Sequence, residues 1–175
     1  MIPEAHSGSA PNRQVIERIT IRIAGDSGDG IQLTGAQLTN STGLAGNDLA
    51  TFPDFPAEIR APAGTVPGVS GFQIQFASMD IHTPGDRPDI LVAFNPAALK
   101  VNLHDLPQNG LLIVNEDEFE ALDLRKAGYT TNPLEDGSLD RYQLHRIPLT
   151  TLTVKALEGM AMSHKEKERS RNFYV

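Results

Sequence analysis

The sequence predicts an α/β fold, a three-layer α/β/α domain whose sheet is mostly parallel. Three observations predict it. Apolar runs of strand length alternate with stretches of helical spacing, two of these runs are continuously apolar, and one strand passes through a glycine-rich turn into a helix. Continuously apolar strands are typical of parallel sheets covered by helices on both faces. The 175 residues are enough for one domain with its own core.

Five segments are predicted to be strands: residues 18–24, 71–77, 90–94, 111–114 and 142–147. The first two alternate apolar with polar residues, which is the period of a strand with one buried face. The third and fourth are continuously apolar. We therefore expect residues 90–94 and 111–114 to be central strands that are inaccessible to solvent.

Apolar residues at three- and four-residue spacing predict helices over residues 31–44, 97–106 and 152–162. Residues 163–171 are predicted to be a solvated helix. Residues 48–70 are different, because four prolines interrupt the apolar residues there. Proline at this density forbids a long helix and allows at most short strands. A connection this long is more often functional than idle.

The two ends of the sequence carry their own expectations. Residues 1–16 are predicted to be a flexible lead-in, since they contain prolines and glycine and have no apolar signal-peptide core. The domain is expected over residues 17–175. The chain ends in the apolar run Phe173, Tyr174 and Val175 without a helix stop. We expect the last helix to be truncated and these three residues to be exposed or disordered.

Composition excludes several classes of protein. The chain has 15 basic and 22 acidic residues and a net charge of −7, which argues against a nucleic-acid binder that neutralises phosphates. It has no cysteine, so it has no disulfide, no thiolate nucleophile and no iron–sulfur cluster held by its own thiolates. No apolar run is long enough to cross a bilayer. We expect a cytoplasmic protein.

The best local candidate for a binding site is the turn formed by Gly25, Asp26, Ser27, Gly28, Asp29 and Gly30. Where a strand passes into a helix, free backbone N–H groups face outward and glycine lets a phosphate approach them. However, the spacing differs from the dinucleotide fingerprint, and the two aspartates would repel a bare pyrophosphate. Phosphate binding and a plain tight turn both stay open. Asp48 lies where a ribose-binding acid would follow, but a surface acid fits this spacing better.

Arg60 is the candidate cation of the proline-rich region. It could face a phosphate or a carboxylate, or it could pair with Glu58, Asp54 or Asp26 and brace the region. The five histidines have no metal-ligand spacing, and no catalytic triad or general-base pair is visible. The residues alone therefore support a Rossmann-like domain of the nucleotide-binding type.

Eight segments, in this order, resemble a known family: GDSGDG (25–30), QLTG (32–35), GND (46–48), TFPDFPAEIRAPAG (51–64), GVSG (68–71), DIHTPGD (80–86), NPAALK (95–100) and NPLEDGS (132–138). The chain from residue 18 to 173 resembles the γ-type domain of 2-oxoacid:ferredoxin oxidoreductases. The closest form is the one at the N-terminus of the α subunit of 2-oxoglutarate:ferredoxin oxidoreductases. The string at residues 51–64 is the most specific part.

This resemblance implies a component of an enzyme that oxidatively decarboxylates a 2-oxoacid, expected to be 2-oxoglutarate, to an acyl-CoA and CO₂ while reducing ferredoxin. Thiamine diphosphate, Mg²⁺ and a [4Fe–4S] cluster are expected in the assembly but outside this chain. The expected partners are the remaining α-subunit domains and the β subunit that binds thiamine diphosphate and the cluster. The chain alone is expected to be inactive.

Within such an assembly, the resemblance implies that this domain helps to bind coenzyme A and to close the active site. The positions of this chain that match the family's binding loop are Gly25, Ser27, Gly28, Asp29 and Gly30, and Arg60 matches the cation of the proline-rich region. Asp26 and Asp29 could instead cap the helix N-terminus. Two alternatives stay open: a nucleotide- or CoA-binding domain that acts alone, and a structural docking module whose loop is only a turn.

Overall fold

The computed structural model describes residues 16–46, 48–58 and 60–174. Most of the predicted lead-in, and Val175, lie outside these residues. The strands are β1 (Arg18–Asp26), β2 (Asp48–Asp54), β3 (Val69–Ala77), β4 (Ile90–Ala93), β5 (Leu111–Asn115) and β6 (Gln143–Ile147). The α-helices are α1 (Ile31–Leu44), α2 (Pro96–Asn102), α3 (Ala121–Lys126), α4 (Leu149–Ala156) and α5 (His164–Arg169). No helix in the described part of the chain is long and apolar enough to span a membrane.

The six strands form one sheet in the order β2-β3-β1-β4-β5-β6. Strands β1, β4, β5 and β6 pair in parallel, while β3 runs antiparallel to both β1 and β2. Five strands therefore point the same way. One core cluster contains residues of α2 and α3, and the other contains residues of α1 and α4. The predicted three-layer α/β/α fold with a mostly parallel sheet is confirmed.

This topology determines where a binding site belongs. The helix after β1 covers one face of the sheet, and the helix after β4 covers the other. In open α/β sheets a crevice forms where neighbouring strands send their helices to opposite faces, just beyond the carboxyl ends of those strands. The turn after β1 and Asn95 after β4 lie at that place.

Strand β2 shows how the proline-rich region is accommodated. It occupies the edge of the sheet and includes Pro53, which lies opposite Phe72 of β3. An edge strand tolerates proline because a missing N–H on its outer side costs no ladder bond. The sequence excluded a long helix here and allowed at most short strands, and the structure has one strand of seven residues.

The prediction that both central strands are inaccessible is only partly right. Strands β4 and β5 are interior, and Leu91 and Leu112 are fully buried. Ile90 and Ile113, on the α1 face, are only partly buried. They line an open apolar groove of about 340 Å³ between α1 and the C-terminal residues. Helices cover this face of β4 and β5 incompletely, which a residue pattern along one strand cannot show.

The C-terminal third differs from prediction in its helix ends. Helix α4 begins at Leu149, three residues before the predicted start, because the Leu149 N–H donates to the Asn115 side-chain oxygen. It ends at Ala156, before Gly159, whose φ of 84° is left-handed. Phe173 and Tyr174 are 62% and 45% exposed, as predicted.

Candidate functional site

The turn after β1 has three glycines with three different surroundings. Gly25 is buried, and a Cβ there would lie 2.8 Å from Ile31 Cδ1 and 3.0 Å from Phe94 Cβ. Gly30 has a φ of 73°, in the left-handed region that favours glycine. Gly28 lies in the 3-10 helix Ser27–Asp29, is exposed, and would carry a Cβ into open space. Only Gly28 therefore offers bare backbone to a ligand, while Gly25 and Gly30 serve the fold.

The two aspartates of the turn bind protein groups. Asp29 Oδ2 accepts a hydrogen bond from the Asp26 N–H at 3.0 Å. Asp26 Oδ2 accepts one from the Gly64 N–H at 2.7 Å, and this bond ties the proline-rich region to the glycine turn. Burial raises the pKa of Asp26, and the Asp29 charge raises it further. The expectation that these acids cap a helix start is met at the 3-10 helix Ser27–Asp29, where Asp26 is the N-cap residue and forms a capping box with Asp29, while Asp26 Oδ2 also accepts the Gly64 N–H. Helix α1 itself begins after Gly30 without a side-chain cap.

The cation at the turn is Arg171, which the sequence analysis did not single out. Its guanidinium makes two ion pairs, Nη2 to Asp29 Oδ1 and Nη1 to Glu118 Oε1, both at 2.7 Å. Its side chain is only 17% exposed. Burial lowers the pKa of Arg171, but the carboxylates of Asp29 and Glu118 outweigh burial and raise it. One clue in the sequence was the pair of aspartates in the turn, which need a basic partner without indicating which residue supplies it.

Arg60 is exposed, and it takes part in none of the ion pairs among the described residues. In particular, it does not pair with Asp26, Asp54 or Glu58 there. The bracing interpretation therefore has no support in the described structure, and the role facing an anion stays a prediction. Asp48 is also exposed and lies at the start of edge strand β2, where its Oδ2 accepts the Ile81 N–H at 2.7 Å.

Two small polar pockets flank the turn and differ in charge. One, of about 170 Å³, is lined by Gly28, three basic side chains and two acidic ones: Lys165, Arg169, Arg171, Asp29 and Glu168. The other, of about 180 Å³, contains four carboxylates against two basic side chains: Asp26, Asp29, Glu118, Asp123, Lys126 and Arg171. The Gly28 side is therefore the better of the two for an anion, because its basic side chains outnumber its acidic ones by one, although Arg171 is already paired with Asp29 and Glu118. Among the residues described, no group of three or more His, Cys, Asp or Glu side chains could hold a metal ion.

A family model described as pyruvate ferredoxin/flavodoxin oxidoreductase matches residues 20–172. The chain belongs to this family. It is also 57% identical, over 176 aligned residues, to the 2-oxoglutarate oxidoreductase subunit KorA of Mycobacterium tuberculosis. That alignment covers 99% of this chain and 27% of the relative, so the chain spans about a quarter of the relative's length. The family resemblance identified from the sequence is confirmed.

Solved structures show the same fold. The 2-oxoglutarate:ferredoxin oxidoreductase of Magnetococcus marinus, with 2-oxoglutarate, coenzyme A and succinyl-CoA bound, matches 90% of this chain with 23% of its own, at a TM-score of 0.66 and 24% identity. The γ subunit of a keto/oxoacid ferredoxin oxidoreductase from Geobacter sulfurreducens matches 89% of this chain with 70% of its own, at a TM-score of 0.57 and 18% identity. At these identities the matches carry the fold alone.

Proposed function

We propose that this chain is a component of a 2-oxoglutarate:ferredoxin oxidoreductase and that it binds coenzyme A at the glycine turn. The whole enzyme converts the 2-oxoacid to an acyl-CoA and CO₂ and reduces ferredoxin. The observation that carries the CoA proposal is the open Gly28 backbone beside three basic side chains. The name of the M. tuberculosis relative supports the substrate, and the ligands of the M. marinus protein support coenzyme A.

The described residues fit coenzyme A better than they fit the other cofactors of the reaction. Coenzyme A carries phosphates, which suit bare backbone at a helix start and basic side chains. The chain has no cysteine, so we place the ligands of a [4Fe–4S] cluster, together with thiamine diphosphate and Mg²⁺, in other parts of the assembly. When bound there, thiamine diphosphate supplies the carbon chemistry and the cluster the electron transfer. We propose that the chain needs these partners and is inactive alone. A cytoplasmic location stays a prediction.

In this proposal each part of the turn has one role. Gly28 lets a phosphate approach the backbone, and Lys165 and Arg169 supply positive charge from α5. Arg60 reaches the same anion from the proline-rich region and helps to close the site. The Asp26–Gly64 hydrogen bond ties that region to the turn, and Arg60 is four positions before Gly64, a stretch of chain that spans at most about 14 Å. Gly64 itself lines the acidic pocket, so Arg60 would reach across the turn to the Gly28 side.

The first test replaces Gly28 with valine in the reconstituted enzyme. A Cβ at Gly28 would meet nothing within 4 Å, so we expect the substitution to cost the free protein little and to obstruct a ligand. We expect the KM for CoA to rise about ten- to hundredfold, the loss of one charge-assisted contact. The CoA-independent decarboxylation of the 2-oxoacid should be nearly unchanged. An unchanged KM for CoA would contradict the proposed site.

The second test is Arg60→Ala, with Arg87→Ala as the matched control. Arg87 is also exposed, but it precedes β4 and lies toward the opposite end of the strands. Of these two variants, we expect only Arg60→Ala to raise the KM for CoA, again by about ten- to hundredfold. A lower Tm with unchanged CoA kinetics would show that Arg60 is only a brace.

The alternative of a domain that acts alone has its own test. Tight CoA binding by a chain that co-purifies with no larger subunit would favour this alternative.

A further inference from the structure

The C-terminal residues pack directly on the glycine turn. Residues Ser170–Phe173 form a 3-10 helix after α5. Asn172 is 4% exposed, and its carbonyl oxygen accepts a hydrogen bond from the Thr34 hydroxyl at 2.9 Å. Its Nδ2 atom lies 2.6 Å from the position that a Cβ on Gly30 would take. The left-handed turn at Gly30 is therefore enclosed by the C-terminal segment.

Arg171 joins this segment to the turn through charge. It contacts Asp29 in the glycine turn and Glu118 after β5, so three separate parts of the chain meet at one guanidinium. Asp26 and Asp123 line the same polar pocket. Without Arg171, two partly buried carboxylates would lose their partner beside two further acids. Removing one member of such a buried pair is far more costly than losing an exposed ion pair.

We propose that Arg171 is a positioning residue that holds the glycine turn in its ligand-accepting shape by acting through Asp29. It offsets the charge of Asp29 and fixes its carboxylate, which accepts the Asp26 N–H and so sets the start of the 3-10 helix that carries Gly28. The consequence for ligand binding rests on the proposed function. The consequence for the shape of the turn does not.

The shape of the turn is tested by hydrogen–deuterium exchange in the intact enzyme, without CoA. In Arg171→Met we expect peptides that cover residues 25–34 to exchange at least about tenfold faster, because charge-assisted bonds that hold the turn are lost. The sheet should exchange as before. Arg171→Lys keeps the positive charge and should therefore retain part of the protection of the turn. Arg87→Met, at an exposed arginine that precedes β4, is the control. Unchanged exchange, or faster exchange across the whole domain, would overturn the proposal.

A double substitution tests whether Arg171 acts through Asp29. Asp29→Asn removes the ion pair between the turn and Arg171 and should accelerate exchange in the turn, as Arg171→Met does. If Arg171 works through Asp29, Arg171→Met with Asp29→Asn should exchange no faster than Arg171→Met alone. If the two substitutions accelerate exchange in the turn additively, the two side chains act independently, and the proposal that Arg171 acts through Asp29 is wrong.

Kinetics separates this proposal from the CoA proposal. For Arg171→Met we expect a rise of about tenfold or more in the KM for CoA with little change in the CoA-independent half-reaction. Faster exchange in the turn with an unchanged KM for CoA supports the positioning role and counts against CoA binding at the turn. An unchanged turn with a raised KM for CoA overturns the positioning role and leaves the CoA site standing.

Discussion

At the scale of single residues, the glycine turn is built around carboxylates of different character. Asp29 has both oxygens paired, one with the Asp26 N–H and one with Arg171. Asp26 has one oxygen bonded to the Gly64 N–H, and its buried Oδ1 has no partner at full hydrogen-bond geometry among the described residues. Burial raises the pKa of Asp26 and dominates, although the Asn95 side chain and the Arg171 charge lower that pKa and offset part of the effect. A buried, half-satisfied carboxylate is costly when it is charged. We therefore expect the charge on Asp26 to be the most destabilising feature of the turn at neutral pH.

The pKa of Asp26 gives a test with a defined sign. Burial raises its folded-state pKa above the ordinary value of 3.8, so the folded protein holds this proton more tightly than the unfolded chain. The contribution of Asp26 to stability is then greatest at low pH and is lost as pH rises from about 3.8 through the raised folded pKa. Asp26→Asn removes the charge and should cancel that loss. We expect its Tm to match wild type near pH 4 and to exceed it by about 2–4 °C at pH 7, the shift that ~1 kcal/mol produces.

Asp136→Asn is the matched control for this pH profile. Hydrogen bonds from Ser138 and Thr131 lower the pKa of Asp136, so its charged form stabilises the fold above its ordinary pKa. The control should therefore lower the Tm at pH 7 and not at low pH, the opposite sign. If Asp26→Asn lowers the Tm at pH 7 as well, the buried charge is compensated and our interpretation of Asp26 is wrong.

The residues of the site divide into those that sequence could reveal and those that it could not. The glycine turn was predictable, since a strand, glycines and a helix follow one another directly. Arg171 was not, because it is 142 residues from Asp29 along the chain and belongs to a run of charges that resembles a solvated helix. Arg171 contacts Asp29 only because the fold brings the two side chains together, and no local pattern in the sequence indicates that contact.

At the scale of elements, prediction succeeded where the pattern of one segment decides its structure. Alternation identified β1 and β3, and continuous apolar runs identified β4 and β5, each within about two residues. Prediction from sequence failed where a neighbouring segment determines the structure. Pro53 is tolerated in β2 only because that strand lies at the edge, and α4 starts early only because Asn115 caps it. The order of the strands was likewise set by packing between segments.

Helix α1 packs on the sheet through a glycine, and this gives a test within one element. A Cβ on Gly35 would lie 2.1 Å from Phe72 Cγ, whereas a Cβ on Gly43 would lie 3.5 Å from Leu49 Cδ2. Alanine gains about 1 kcal/mol over glycine inside a helix, while overpacking costs roughly 1–3 kcal/mol, and more where overlap is severe. The overlap at Gly35 is severe and the contact at Gly43 is ordinary.

We therefore expect opposite signs for the same substitution in α1. Gly35→Ala should lower the free energy of unfolding by about 2 kcal/mol, because overpacking outweighs the helix propensity. Gly43→Ala should raise it by up to about 1 kcal/mol. Urea unfolding of the two variants measures both. Equal effects at the two positions would show that α1 does not approach β3 as closely as the structure shows.

At the scale of the whole molecule, exposed aromatic side chains stand out in two places of the described surface. The chain carries a net charge of −7, yet it exposes two groups of large apolar side chains. One lies on the edge strand and the proline-rich region, where Phe52 and Phe55 are 55% and 69% exposed. The other is Phe173 with Tyr174, and Phe173 also borders the apolar groove on the sheet. Adjacent exposed aromatics beside an apolar groove form a patch that tends to associate.

This second patch leads to a prediction about self-association of the chain in solution. Burying an exposed phenylalanine contributes roughly 1.5–3 kcal/mol, and Phe173 is already partly covered, so its removal should weaken association about tenfold. We expect Phe173→Ser to lower the weight-average sedimentation coefficient at high concentration and to leave the Tm nearly unchanged. Phe52→Ser removes a similar exposed ring from the edge strand β2, away from this groove, and should have little effect. If Phe52→Ser abolishes association and Phe173→Ser does not, the chains meet through the edge strand, and the C-terminal patch is not the associating surface.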